Sequence, residues 1–318
     1  MGSKTAALHR NHHYADRPVW VTGILLFVWM ISSVASTVTN KTLMTIFPYS
    51  ATLTLVQITA SCVVDYIIIL YRRLSILPLN RPLLIQTLPV AASINFSKTL
   101  TYVSYGYVPA SLTHTAKASS PIFSVALSKL LYNKAPSMYI VLSLIPITVG
   151  VTLSALTELN FALFGFIAAV AASVAAVLNS IYGKQALHHI SCPDPIIFHF
   201  YTSVCAVLMV LPWVLYNDLY SIYMSVHTTT SIINVDGITS IITRGIPYQL
   251  IILSLAMHYL QNISSIYYLA GVTVLTHQVA STMKRLMVIA STVVYFGNPV
   301  GKSKSYYLCV VVVVLIGG

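Results

Sequence analysis

Two stretches decide the fold: PASLTHTAKASSPIFSVALSKLL at residues 109–131 and TVLTHQVASTMKRLMVIASTVVYF at residues 273–296. Each is long enough to cross about 30 Å of hydrocarbon as a helix, which takes roughly 20 apolar residues. Each opens on the same triplet, Leu112-Thr113-His114 and Leu275-Thr276-His277, and each carries cations in its middle. The first closes on Leu131-Tyr132-Asn133, the second on Tyr295-Phe296-Gly297-Asn298, and the spans that follow end at Gly150 and Gly317. The offset between matching positions drifts only from 163 (275 − 112) to 167 (317 − 150) residues. A repeat of that length predicts two related halves in one chain.

Working outward, the rest of the chain fits the same plan. Of its 318 residues, 57% are apolar and 7% charged, with a mean hydropathy of +0.82. A soluble domain carries about 25% charged residues, so lipid is the solvent for most of this chain. Spans are predicted at 19–39, 48–71, 83–106, 109–131, 137–156, 161–183, 194–215, 247–269, 273–296 and 305–318, separated by Pro, Gly and charge. The fold class expected is all-α: ten transmembrane helices in two five-helix repeats, 19–156 and 161–318, forming one domain after a polar tail at 1–18. Five is odd, so the halves lie in opposite orientations, as in many secondary transporters. Very short connections, Gly106 to Pro109 and Ala270 to Thr273, predict tight helix hairpins. The polar connection 217–246 has room for a short surface helix, and the last span, with 14 residues, is expected to be truncated.

The net charge of +11 does not form a basic stripe, so nucleic acid is not an expected partner. Counting cations beside the spans sets Lys4, Arg10, Arg17, Arg72, Arg73, Arg81, Lys129, Lys134 and Lys184 against Lys41, Arg244, Lys302 and Lys304. Cytoplasmic loops collect Lys and Arg, so both termini are expected in the cytosol. The four cysteines show no CxxC or metal-ligand spacing, and no metal site or cofactor is expected. Walker, GxSxG and HExxH motifs are absent, as are paired intramembrane carboxylates, which argues against an enzyme.

Function is predicted from the charges inside the spans. Lys98, Lys117, Lys284 and Arg285 face one intramembrane carboxylate, Asp65. Each charge at the bilayer centre costs about 2.5–3.5 kcal/mol even on insertion scales. Folding gains nothing from this imbalance, whereas an anion that enters and leaves accounts for it. His114 and Lys117 share a helix face, as do Lys98 and Thr101, and His277 lies two turns before Lys284. Thr101, Ser104 and Thr113 add hydroxyls; Gln261 and Tyr259 are polar positions of the eighth span. Asp65 has two readings, an ion pair with Arg72 or another helix, and a contact with substrate. His114 and His277 likewise fit either a cavity or structural hydrogen bonds.

Leu112–Pro121 with Thr101 and Ser104 before it, and Gln278–Ile289 followed by Phe296-Gly297-Asn298-Pro299, resemble the triose-phosphate/phosphate translocator family of the drug/metabolite transporter superfamily. Leu144–Leu159 and the Lys284-Arg285 pair look closest to subfamily E of solute carrier family 35. The resemblance implies antiport of a small phosphorylated metabolite, such as triose phosphate, phosphoenolpyruvate or another sugar phosphate, against inorganic phosphate. It implies a phosphate grip made by Lys117, Lys284, Arg285 and Thr101, and a pocket around Lys98, His114, Ser104, Tyr259, Gln261 and His277. Two positions depart from the plastid members: a histidine there is Lys98 here, and a pocket tyrosine aligns with Gln261. A nucleotide-sugar antiporter and a non-transporting membrane adaptor are the alternatives. The subfamily implies a Golgi or other endomembrane location.

Overall fold

A computed structural model describes residues 17–46, 50–74, 81–108, 110–132, 138–146, 149, 161–189, 194–216 and 248–296. The tail at 1–16, the segment 217–247 and the tenth span at 305–318 lie outside the described residues, as does half of the fifth span. Every regular element described is helical: α1 (Val19–Ile46), α2 (Ser50–Tyr71), α3 (Arg81–Tyr107), α4 (Ala110–Ala118), α5 (Ser120–Tyr132), α6 (Met138–Ser143), α7 (Leu163–His189), α8 (Pro195–Val214), α9 (Tyr248–Gly271) and α10 (Val274–Phe296). Among the described residues five helices, α1, α2, α7, α8 and α9, are long and apolar enough to cross a membrane. The helices that fall short are informative. α3 and α10 have 27 and 23 residues, but Ser and Thr dilute them, together with Lys98 in one and Lys284-Arg285 in the other.

The bundle is apolar outside and polar inside, the reverse of a soluble protein. On α1, Trp20, Ile24, Phe27 and Ile31 are exposed at helical spacing, while Ser32, Ser33, Ser36 and Thr39 are buried. Several buried hydroxyls bond back to the carbonyl four residues earlier, Thr39 to Ala35 and Thr87 to Leu83 among them, so they are satisfied without water. α3 runs along α7, α1 along α9, and α2 along α8. Alanines 168, 169, 172 and 175 of α7 are buried and let α3 approach closely, and the Ser97 hydroxyl donates across the seam to Ala172 O at 2.8 Å. At the end of that seam a Cβ on Gly165 would sit 2.7 Å from Tyr107 Cβ and 2.9 Å from Val108 Cγ1. Neither neighbour is the free end of a long side chain. Gly165→Ala is therefore expected to destabilise the protein by about 1–3 kcal/mol, the usual cost of overpacking. A lowered unfolding temperature in detergent checks it; an unchanged one would mean the seam is looser than this.

The two short connections are present. α3 ends at Tyr107 and α4 begins at Ala110; α9 ends at Gly271 and α10 begins at Val274. Thr273 caps α10, its Oγ1 accepting from Thr276 N at 3.1 Å. The span expected as one continuous helix over 109–131 is instead two, α4 and α5, broken at Ser119. The cause is Pro121, which has no N–H to give the carbonyl of Lys117. Ile122 N then turns to Ser119 O at 3.0 Å rather than to Ala118 O, tightening the first turn of α5. The related helix α10 runs unbroken, because at the offset of 163 residues Pro121 corresponds to Lys284.

One end of the bundle is tied together by polar contacts. Asp194 caps α8 by accepting from Ile196 N at 3.1 Å, pairs with Arg72 at 3.3 Å, and accepts from the Tyr267 hydroxyl. Arg17 lies over the Tyr267 ring at 5.2 Å, and Lys184 donates to the last carbonyls of α9, Leu269 and Ala270, at 3.0 and 2.8 Å. Arg72 is thus engaged by Asp194, not by Asp65.

Candidate functional site

The break after α4 sets up the first part of the site. It leaves the carbonyls of Lys117 and Ala118 without their helical donors, and α10 supplies replacements. Arg285 Nη1 donates to Lys117 O and to Ser120 Oγ at 3.1 Å. Thr282, one turn earlier on α10, donates to Ala118 O at 3.3 Å, and Ser173 of α7 reaches Lys117 O at 3.4 Å. Irregular backbone inside a membrane protein is tolerated only where protein or a cavity satisfies it. Here the satisfying groups include one of the cations singled out from the sequence. The side chain of Lys117 turns the other way and donates to Thr101 Oγ1, which in turn donates to Ser97 O at 2.6 Å. Lys117, Arg285 and Thr101 therefore form one connected cluster at the α4–α5 break.

Lys284 stands apart from that cluster. Its ammonium lies 4.7 Å from the centroid of Trp29 on α1, a cation–π contact. The ring of His277 stacks on the same Trp29 at 4.8 Å, so the two α10 residues seven apart share one aromatic platform. His277 is held on both sides, Nδ1 by Ser180 at 3.3 Å and Nε2 by Ser265 at 3.1 Å.

A cavity of about 180 Å³ lies between α2, α3, α7, α8, α9 and α10. Its polar lining includes Lys98, Asn179, His199, His258, Asn262 and His277; Ile58, Val90, Ile94 and Phe198 supply apolar wall. Of the residues expected to form the site, Lys98 and His277 line it. Lys117, Thr101 and Arg285 meet at the helix break, and Lys284 sits beside His277 on Trp29. Ser104 bonds Thr113 at 2.7 Å, pinning α3 to α4. His114 lies one turn before Lys117, and Gln261 lies beside the cavity-lining Asn262; neither is in the lining. Tyr259 donates to Asp65 at 3.0 Å.

Asp65 also accepts from His199 at 2.6 Å, so its two oxygens serve His199 and Tyr259. Among the described residues no carboxylate forms an ion pair with Lys98, Lys117 or Lys284. Sequence reasoning missed Trp29, Asn179, His199 and His258. A Trp in the middle of an apolar span, away from the interfacial belt where Trp usually sits, was the available signal for the first.

With that geometry in place, comparison with known proteins is decisive at family level. Residues 20–316 match the Triose-phosphate Transporter family. The chain belongs to that family. Its members are transporters rather than enzymes. Among its relatives are the chloroplastic xylulose 5-phosphate/phosphate translocator of Arabidopsis thaliana, 30% identical over 87% of this chain, and the chloroplastic triose phosphate/phosphate translocator of Zea mays, 29% identical over 89%. The chloroplastic phosphoenolpyruvate/phosphate translocator 2 of Arabidopsis thaliana is 28% identical over 89%. This family member spans 64%, 66% and 72% of the lengths of those three proteins. A solved crystal structure superposes with a TM-score of 0.61, covering 93% of this chain and 94% of its own, at 13% identity. That likeness concerns the fold alone.

Proposed function

We propose that this protein is a secondary antiporter that exchanges a small phosphorylated metabolite for inorganic phosphate by alternating access. The observation that carries the reading is the set of intramembrane cations, Lys98, Lys117 and Lys284, without a carboxylate ion pair among the described residues, joined by Arg285 at a helix break. Lys117, Lys284, Arg285 and Thr101 hold the phosphate group. Lys98, His277 and the polar wall of the cavity meet the rest of the substrate. The relatives whose names specify phosphate exchange for xylulose 5-phosphate, triose phosphate or phosphoenolpyruvate support the same class of cargo. A cavity of about 180 Å³ favours a compact anion over a nucleotide sugar, since drug-sized ligands occupy about 300–1,000 Å³. A membrane adaptor would gain stability by losing the buried cations.

The architecture proposed is two inverted five-helix repeats, 19–156 and 161–318, with both termini in the cytosol. The motif pair at residues 112 and 275 supports the repeat, and the distribution of Lys and Arg supports the orientation. The relatives named above are chloroplastic, which does not favour a Golgi or other endomembrane address; imaging a tagged chain with organelle markers decides between them.

The reading is tested with purified protein in liposomes. Labelled phosphate enters vesicles preloaded with phosphate and barely enters empty ones. The reason is electrostatic: occlusion lowers the dielectric around several like charges, and a bound phosphate of about −1.5 to −2 offsets them. The anion favours the occluded state, while the empty carrier does not cross. Equal uptake into empty and preloaded vesicles overturns strict exchange; uptake of a nucleotide sugar but of no phosphorylated three- to six-carbon compound overturns the cargo.

A further inference from the structure

Asp65 is fully buried in α2 and is held from two other helices: His199 Nδ1 of α8 at 2.6 Å from Oδ2, and the Tyr259 hydroxyl of α9 at 3.0 Å from Oδ1. An ionised carboxylate only accepts, so Nδ1 carries the shared proton and the ring's Nε2 is the place for a second one. His199 lines the cavity and Asp65 does not. The imidazole therefore stands between the buried carboxylate and the space an anion would enter.

Other charged and titratable groups stand near the pair. Lys98 on α3 and His258 on α9 line the same cavity, and Tyr259 closes the triad from α9. On α2, Cys62 lies one turn before Asp65 and hydrogen-bonds Ser203 of α8, and Arg72 at the helix end is occupied by Asp194. His277 on α10 also lines the cavity, but its two nitrogens face serines. With neutral His199 the Asp65–His199 pair carries one negative charge, which repels an entering anion. With His199 protonated the pair is neutral. An anion in the cavity and a proton on His199 carry opposite charges and share one space. Linkage is reciprocal, so whatever the anion does for proton binding, the proton does for anion binding.

We propose that Asp65, His199 and Tyr259 form a proton-binding site beside the anion cavity, and that a proton crosses the membrane together with the anion. The proton enters from cavity water onto His199 Nε2, Asp65 supplies the counter-charge, and the proton leaves to water on the other side; no other bond forms or breaks. This inference rests on the phosphate-antiport reading. It adds that an exchange of anions with unequal charge can be balanced by protons.

The test uses the full chain in proteoliposomes with inorganic phosphate on both sides, a pH-sensitive dye inside, a more acidic exterior, and valinomycin with potassium to hold the membrane potential at zero. Labelled phosphate exchanged and protons entering are measured in the same vesicles, and their quotient is the readout. Wild-type protein should bring in up to one proton per phosphate exchanged, because the site takes its proton from the acidic exterior and returns unprotonated with the outgoing phosphate from the more alkaline interior. Asp65→Asn removes the counter-charge and His199→Gln removes the acceptor, so in both the quotient should fall several-fold. The remainder is phosphate's own titration, which is common to all variants. A purely structural role for the triad would change the exchange rate and leave the quotient alone. The same quotient in wild type, Asp65→Asn and His199→Gln overturns the proposal. If either variant does not fold, wild-type exchange with no proton entry beyond phosphate's own titration overturns it as well. Absence of phosphate exchange in wild type is a different outcome: it removes the antiport reading itself.

Discussion

Proteoliposomes carrying Lys117→Ala or Lys284→Ala should exchange phosphate no faster than a hundredth of the wild-type rate. Truncating one partner of a buried hydrogen-bonded charge pair costs about 2–5 kcal/mol, and about 2.7 kcal/mol is already 100-fold. The two lysines fail for different reasons. Lys117 organises the break by holding Thr101 with its side chain while its carbonyl receives Arg285. Lys284 waits on the face of Trp29 and is free to leave it for an anion. Neither variant should unfold, because each loses a buried charge that has no carboxylate partner among the described residues. Lys284→Arg should fail too, since a planar guanidinium does not replace a compact ammonium. Wild-type exchange in both alanine variants would dismiss the phosphate-site assignment.

Pro121→Ala should separate stability from transport. The restored N–H competes for Lys117 O, closing α4 and α5 toward one continuous helix and displacing Arg285 from its carbonyl. Pro121 lies in the first turn of α5, where proline is tolerated, so the unfolding temperature in detergent should change little. Phosphate exchange should fall by about tenfold or more, the equivalent of about 1.4 kcal/mol at a charge-assisted hydrogen bond. An active Pro121→Ala protein would show that the break has no part in holding Arg285 for substrate.

The reach of the sequence differs from element to element. Local chemistry was readable: Gly106 to Pro109 and Ala270 to Thr273 gave the two tight connections, and lysines inside apolar runs marked α3, α4 and α10 as the helices that carry buried cations. The break at Ser119 was also written locally, in Pro121, but an average over 23 positions conceals one missing N–H. The partners of Asp65 could not be read in this way. His199 and Tyr259 lie 134 and 194 residues further along, and only packing of α2 against α8 and α9 brings them there. A nearby Arg72 made the local pairing attractive, yet helix geometry carries Arg72 to the end of the bundle and leaves Asp65 in its middle. Trp29 was hidden for the same reason, since its role depends on α1 lying against α10.

The carbonyl of Lys117 has a consequence for turnover. Arg285 Nη1 already holds an oxygen, the backbone carbonyl of Lys117. On the antiport proposed above, a phosphate arriving at that nitrogen would compete with the carbonyl in a ligand-exchange reaction. It would gain there the difference between two acceptors, not the full strength of the new bond. Departure would be eased in the same measure, because the carbonyl would recapture the guanidinium as the phosphate goes. A site assembled this way would give up tight binding for rapid release, which is what the proposed exchange asks of it in every cycle.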